Sequence, residues 1–214
     1  ASNKMKQFLF LYTELAGYFL SCIHALAENG HQILIIHWPV NNEAPFKIEK
    51  LKNVRFVQKN NENKKEIKNI ISSFNPNLIY VSGWVDKDYK SIANTYRKNI
   101  PVIMALDNPW GGSIRQHLAV LMSRVIIKRF FNKAWGTGYA QYEYARRLGF
   151  QEKDILVNGY SADVDLFHTA ANSSKMSKSK TILYVGRLLD WKGVGDLYHA
   201  FQSIKQKNGW KLLI

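Results

Sequence analysis

Thr181-Ile-Leu-Tyr-Val-Gly-Arg-Leu-Leu-Asp-Trp-Lys-Gly193 sets two cations just beyond a short apolar run. Ile182 to Val185 reads as a buried strand of a parallel sheet. Gly186 frees the backbone, Arg187 and Lys192 follow, and Leu197, Phe201 and Ile204 mark a helix after Gly193. In open α/β sheets the crevice beyond the strands' carboxyl ends is where ligands bind. Arginine grips phosphate oxygens with a planar fork and lysine acts as a point charge, so the guest that suits Arg187 and Lys192 is a diphosphate. Taken alone, the same residues also suit a solvated basic turn.

Two further groups of residues have the types for chemistry. Near the start, the loop Thr13-Glu-Leu-Ala-Gly17 precedes a helix whose apolar face is Phe19, Leu20, Ile23, Leu26 and Ala27. A small residue such as Gly17 at a helix N-terminus lets backbone N–H groups face an anion; a tight turn with no ligand is the alternative. Later, two strand ends carry Ser82-Gly-Trp84 and Asp107-Asn-Pro-Trp-Gly-Gly112. Trp84 and Trp110 offer aromatic faces to a sugar ring or another flat apolar surface, and Asn108 offers hydrogen bonds to a hydroxyl. Asp107 is the candidate catalytic residue, and it also suits a helix cap near Ser113. The competing reading for both tryptophans is packing back onto the core.

The elements that position these residues follow from the hydrophobic pattern. Residues 6–12 and Ile33–Ile36 flank the first helix, which ends at Gly30-His31, giving a βαβ opening. Val54–Val57, Leu78–Val81 and residues 101–106 read as further strands, with amphipathic helices at Ile67–Phe74 and Tyr89–Tyr96. Ala134–Thr137 is a short strand, and the helix after it runs through Tyr142 and Leu148 to Gly149. Strands alternating with helices predict an α/β fold, a parallel sheet flanked by helices.

Val185-Gly-Arg-Leu with Lys192-Gly193, preceded by Asn158-Gly-Tyr-Ser-Ala-Asp-Val-Asp-Leu-Phe167, resembles the retaining, nucleotide-sugar-dependent glycosyltransferases of family four. Asn158, Gly159 and Phe167 keep that family's usual form, while Tyr160 and Ser161 stand where Val and Asp are frequent, with Asp163 and Asp165 nearby. Ala16-Gly17 stands where the family has paired glycines. The resemblance implies a GT-B fold, two Rossmann-like domains with a cleft between them. It implies that Gly17, Arg187 and Lys192 approach the donor diphosphate, and that Trp84, Asn108 and Trp110 lie on the acceptor side. Many relatives have a histidine after the fifth strand where this chain has none. That fits retention, in which the departing diphosphate itself can deprotonate the acceptor.

Composition narrows the classes. Hydrophobic residues are 46% and charged residues 21%, as in globular proteins, and the net charge is +14. That charge favours anionic partners. Cations are spread through loops and helices without a nucleic-acid-binding signature, so no nucleic acid is expected. The single cysteine, Cys22, allows no internal disulfide and reads as a buried structural thiol. No zinc spacing appears, and neither a metal nor a cofactor is expected beyond the sugar-nucleotide donor, the two cations taking over the metal's role.

The segment 114–131 carries Leu118, Leu121, Met122, Val125 and Ile126 among Arg115, Arg124, Lys128 and Arg129. It reads either as a helix covering the sheet or as an interfacial helix on an anionic membrane.

The expected organisation is an acceptor-side domain over 1–168, a linker over 169–180 and the start of a nucleotide-sugar domain over 181–214. No E-x-x-x-x-x-x-x-E motif follows residue 181, so the expectation is a piece of a longer enzyme that is inactive alone. The function expected is sugar transfer to a glycan or lipid-linked acceptor, in bacterial surface-polysaccharide synthesis. The location expected is the cytoplasm or the inner face of the plasma membrane. A non-catalytic module binding an anionic partner and a sugar-nucleotide epimerase of the same fold are the rivals.

Overall fold

The computed structural model describes residues 4–40, 48, 50–60, 63–159, 161, 164, 168 and 180–214. The chain divides into two compact units, residues 1–163 and 164–214. The linker expected over 169–180 lies outside the described residues except Lys180, and so do Tyr160, Asp163, Asp165 and Phe167 of the upstream signature.

The first unit is built on seven parallel strands: β1 (Gln7–Tyr12), β2 (Gln32–His37), β3 (Val54–Gln58), β4 (Leu78–Val81), β5 (Val102–Leu106), β6 (Lys133–Gly136) and β7 (Ile155–Leu156). They lie in the order β3-β2-β1-β4-β5-β6-β7, so the order reverses between β1 and β4. β1 pairs with β2 from Gln7↔Gln32 to Tyr12↔His37, and with β4 from Phe8↔Leu78 to Leu11↔Val81. This is an α/β, Rossmann-like sheet, as the hydrophobic pattern predicts.

The apolar strands follow from burial on both faces. Leu9, Leu11, Leu34, Ile36, Ile79 and Met104 join one core, with Ile67 and Ile71 of α2 (Lys64–Phe74), Tyr89 and Ile92 of α3 (Lys87–Tyr96), and Tyr144 of α6 (Tyr139–Arg147). Phe10, Tyr12, Ile33, Ile35 and Tyr80 join the other, against Phe19, Ile23 and Ala27 of α1 (Gly17–Glu28). Residues adjacent in a strand therefore serve opposite layers, and neither face admits a polar alternation. Cys22 on α1 is half-buried, short of the enclosed thiol expected.

Segment 114–131 departs from a single helix. It forms α4 (Ile114–Leu121) and α5 (Ser123–Ile126), joined at Met122, before Ile127 and Phe131 enter the core. The sheet-covering role falls to Ala119, Val120 and Ile126, while Leu118, Leu121, Met122 and Val125 face outward.

Charge is also built into this unit. Asp86 caps α3, accepting from the amides of Asp88 and Tyr89 at 2.8 and 2.9 Å. Its other oxygen accepts from Lys59 Nζ at 2.6 Å and Trp38 Nε1 at 2.7 Å. Burial would raise the Asp86 carboxyl, but the bonds from Lys59, the Tyr89 amide and Trp38 outweigh it and hold the group below the usual range.

His37, at the end of β2, is buried, and Nδ1–H donates to the Trp38 carbonyl at 2.6 Å. Burial holds its imidazole below the ordinary value, against the opposing effect of that bond. The unfolded chain, with a histidine pKa of about 6.5, then takes up a proton the folded chain refuses. Stability should therefore fall as pH drops below about 6.5. Urea midpoints measured between pH 7 and 5 will show this slope in the wild type, and His37→Gln should flatten it.

The second unit contains β8 (Thr181–Leu183) and β9 (Lys211–Leu213), a parallel pair, with α7 (Val194–Ser203) between them in sequence. The strand expected to be buried over 182–185 is shorter and exposed. The strand stops at Leu183, and Ile182, Leu183 and Val185 are exposed, because no described residue of this unit is buried.

Candidate functional site

The strand order reverses between β1 and β4, and at the carboxyl edge of the sheet the loops from both strands meet there, the place where open α/β sheets bind ligands. Ser82 Oγ accepts from the Thr13 amide at 2.7 Å and lies 3.0 Å from Thr13 Oγ1, tying the two strand ends together. α1 starts on this edge. Ala16, extended at φ −119°, supplies no side-chain cap, and the first turn holds no acidic residue. Gly17 is exposed, and a Cβ built on it would meet nothing within 4 Å. The helix start is thus open, with positive partial charge that neither a cap nor a carboxylate of its own first turn offsets.

The neighbouring strand end brings Asp107, Asn108 and Trp110. Asp107 and Asn108 are exposed. Asp107 is not the cap of the following helix. Ser113 fills that place, accepting from the Gln116 amide within a reciprocal capping box. Two glutamines that the sequence pattern did not single out hold this loop. Gln116 accepts from the Gly111 amide at 2.8 Å and donates to the Pro109 carbonyl at 2.8 Å. Gln141 on α6 donates to the Asp107 carbonyl at 2.8 Å. The Ser-x-x-Gln pattern at 113–116 is the one sequence signal that could have exposed the first of them.

Trp84 and Trp110 come together through a third ring. Tyr144 lies 6.4 Å from Trp84 and 5.4 Å from Trp110, centroid to centroid. Trp110 also meets His117 edge-on at 4.9 Å and has the Arg147 guanidinium 4.7 Å from its centroid. Both indoles are partly buried against the core, so they form a shared aromatic wall rather than two free platforms. Tyr80 lies behind the α1 start. Burial pushes its hydroxyl well above the ordinary tyrosine value, against a hydrogen bond with Tyr12 and with the Asp107 carboxylate adding to the rise. Gly17, Asp107, Asn108, Trp84 and Trp110 therefore share one edge of one unit.

Arg187 and Lys192 belong to the second unit and are exposed. The Tyr184 hydroxyl donates to the Arg187 carbonyl at 3.0 Å, fixing the turn after β8. Lys192 closes a 3-10 turn over Asp190–Lys192, its Nζ 4.4 Å from the centroid of exposed Trp191. Gly193, left-handed at φ +69°, then starts α7 without a side-chain cap. Among the described residues there is no group of three or more His, Cys, Asp or Glu side chains arranged to hold a metal ion.

Neither a protein-family model nor a curated protein matches the chain. Solved structures do. Anabaena Alr3699/HepE in complex with UDP matches with a TM-score of 0.56 at 14% identity, covering 97% of this chain and 68% of that one. The UDP-GlcNAc 2-epimerase from Methanocaldococcus jannaschii matches with a TM-score of 0.50 at 15% identity over 97% and 65%. The UDP-N-acetylglucosamine 2-epimerase from Rickettsia bellii gives 0.52 at 10% identity over 98% and 69%. What they share with this chain is the fold. The chain spans about two thirds of each protein's length, and its first unit is a GT-B-type Rossmann-like domain.

Proposed function

We propose that this chain belongs to an enzyme that uses a nucleoside-diphosphate sugar, and that the reaction is transfer of the sugar, with retention, to a glycan or lipid-linked acceptor. The observation that carries the reading is the open start of α1 at the sheet's reversal point, uncapped and free of acid in its first turn. A diphosphate is the ligand such a start favours. Support comes from the likeness to a protein solved with UDP and with UDP-glucose.

In this reading Gly17 admits the diphosphate to the amides, and Arg187 and Lys192 neutralise the charge that grows on it as the glycosidic bond breaks. Preorganised donors of that kind lower a barrier by several kcal/mol. Asn108 and the Trp84–Trp110 wall receive the acceptor. Asp107 is the one carboxylate on that loop to orient or accept a proton from its hydroxyl. Surface-polysaccharide synthesis is the setting proposed.

The likeness to two UDP-sugar 2-epimerases favours a second reading, inversion at C2 of the bound sugar. Titration of the chain with UDP by calorimetry tests the part common to both. Binding is expected, weakened about tenfold in Lys192→Ala. If UDP does not bind, both readings fall. Turnover of UDP-glucose and UDP-GlcNAc then separates them: release of UDP with a glycosylated acceptor supports transfer, and a C2-epimerised nucleotide sugar replaces it with epimerisation.

A further inference from the structure

Arg97 follows α3 directly, and its Nε–H is buried without a hydrogen-bond partner. A buried donor left unpaired is costly, and more so on a charged group. Among the described residues no ion pair involves its guanidinium. The backbone there is fixed. Asn132 Nδ2 donates to the Arg97 carbonyl at 3.1 Å, and Asn132 Oδ1 accepts from the Val102 amide at 2.8 Å. The end of α3 is thus tied to the amino ends of β5 and β6.

Lys128, just past the end of α5, reaches the same corner, its Nζ 4.5 Å from the centroid of the buried Phe150 ring. Burial holds its ammonium below the ordinary lysine value, with Asp154 opposing that effect and Arg97 adding to it. Asp154 is already engaged, accepting from Lys133 Nζ at 3.0 Å. Between Asp88 and Glu143 the sequence supplies one carboxylate, Asp107, and it lies beyond the far end of β5, about 16 Å off by the rise of a strand. Arg97, Lys128 and Lys133 therefore share Asp154 and leave two positive charges unbalanced. A phosphoryl group, at about −1.5 to −2 near neutral pH, offsets both, which a carboxylate does not. The edge of a guanidinium presents Nε–H and an Nη–H side by side, matching two phosphoryl oxygens, and a lysine adds a point charge.

We propose that Arg97 and Lys128 form a binding site for a phosphoryl group at the amino edge of the sheet, the edge opposite the start of α1. Arg97 holds two of its oxygens through Nε–H and an Nη–H, and Lys128 holds a third. The occupant bridges the end of α3 to the segment leaving α5, so its binding stabilises the first unit at a point apart from the proposed nucleotide site. Free inorganic phosphate and a phosphate monoester offer the same group.

The test is titration of the isotope-labelled chain with sodium phosphate, ionic strength held constant with chloride, followed by nuclear magnetic resonance at the Arg97 Nε–H and by thermal melting. A saturable movement of that resonance and a rise in melting temperature are expected. Arg97→Lys keeps the charge but loses the fork, and should weaken binding about tenfold or more. Lys128→Gln should weaken it too, and Lys98→Gln, at an exposed neighbour, should leave it unchanged. Glycerol phosphate in a parallel titration separates the sources: tighter binding than inorganic phosphate assigns the site to a monoester, weaker binding to the free anion. The proposal is overturned if phosphate moves the Arg97 resonance no further than chloride does, if acetate moves it as far as phosphate, or if Arg97→Lys and Lys128→Gln bind phosphate as the wild type does. Phosphate also suits the start of α1, so the Gly17 amide is read in the same spectra. Movement at Gly17 alone overturns the proposal and leaves the nucleotide reading intact, and UDP titration tests that reading independently.

Discussion

Asp86→Ala should destabilise the larger unit by about 3–5 kcal/mol, the usual cost of removing one partner from a buried ion pair. The side chain is 4% exposed and accepts four hydrogen bonds, from Lys59, Trp38 and the amides of Asp88 and Tyr89. Its loss leaves the Trp38 indole N–H without its acceptor and the α3 start without its cap, the latter alone costing about 1 kcal/mol. Lys59 keeps a partner in Asp88 at 2.9 Å, which limits the damage. Asp86→Asn retains a cap oxygen and should cost about half as much. Urea unfolding followed by circular dichroism measures both. A loss under about 1 kcal/mol for the alanine variant would mean that Asp88 holds Lys59 unaided and the network adds little.

Gly17→Asp should move stability and ligand affinity in opposite directions. No neighbour obstructs a side chain there, so the fold accepts the change. A carboxylate in the first turn of α1 complements the helix dipole and should raise stability by about 0.3–1 kcal/mol. The same charge stands where the proposed diphosphate approaches. Affinity for UDP should fall about a hundredfold, or about 2.7 kcal/mol. Gly17→Ala is the control, leaving UDP affinity within about twofold, because it adds no charge. Thermal melting and calorimetry on one preparation give both quantities. A more stable Gly17→Asp protein that still binds UDP as the wild type does would place the diphosphate away from α1.

Much of the first unit is legible in the sequence. β1, β2, β4 and β5 lie within about one residue of their apolar runs, because strands buried on both faces need unbroken hydrophobic sequence. Asn75, left-handed at φ +49°, ends α2 where Asn75-Pro76 predicts a stop. The pattern misleads where burial depends on what lies outside the segment. Ile182–Val185 has the composition of a buried strand, yet no described residue of its unit is buried and Ile182, Leu183 and Val185 are exposed. In 114–131 periodicity locates helix but cannot say which of two apolar sides faces inward. At the candidate site, Gly17 and Asp107 stand out by type and place, whereas Gln116 and Gln141 act through backbone groups of a loop whose path no local rule fixes. Tyr144 likewise becomes the hinge of the tryptophan wall only because the sheet carries α6 beside β5 and its loop.

The position of β1 at the reversal also bears on how the chain is made. Its inner partner β4 is 70 residues away, as the hydrogen bond from the Gln7 amide to Asn77 measures. At about 5–20 residues per second, a ribosome needs roughly 4–14 s to supply that partner. During this interval Phe8 to Tyr12 can pair only with β2, one edge unfilled. Synonymous codons that slow translation between Gln58 and Leu78 would lengthen that exposure, and chaperone demand during synthesis should rise with it.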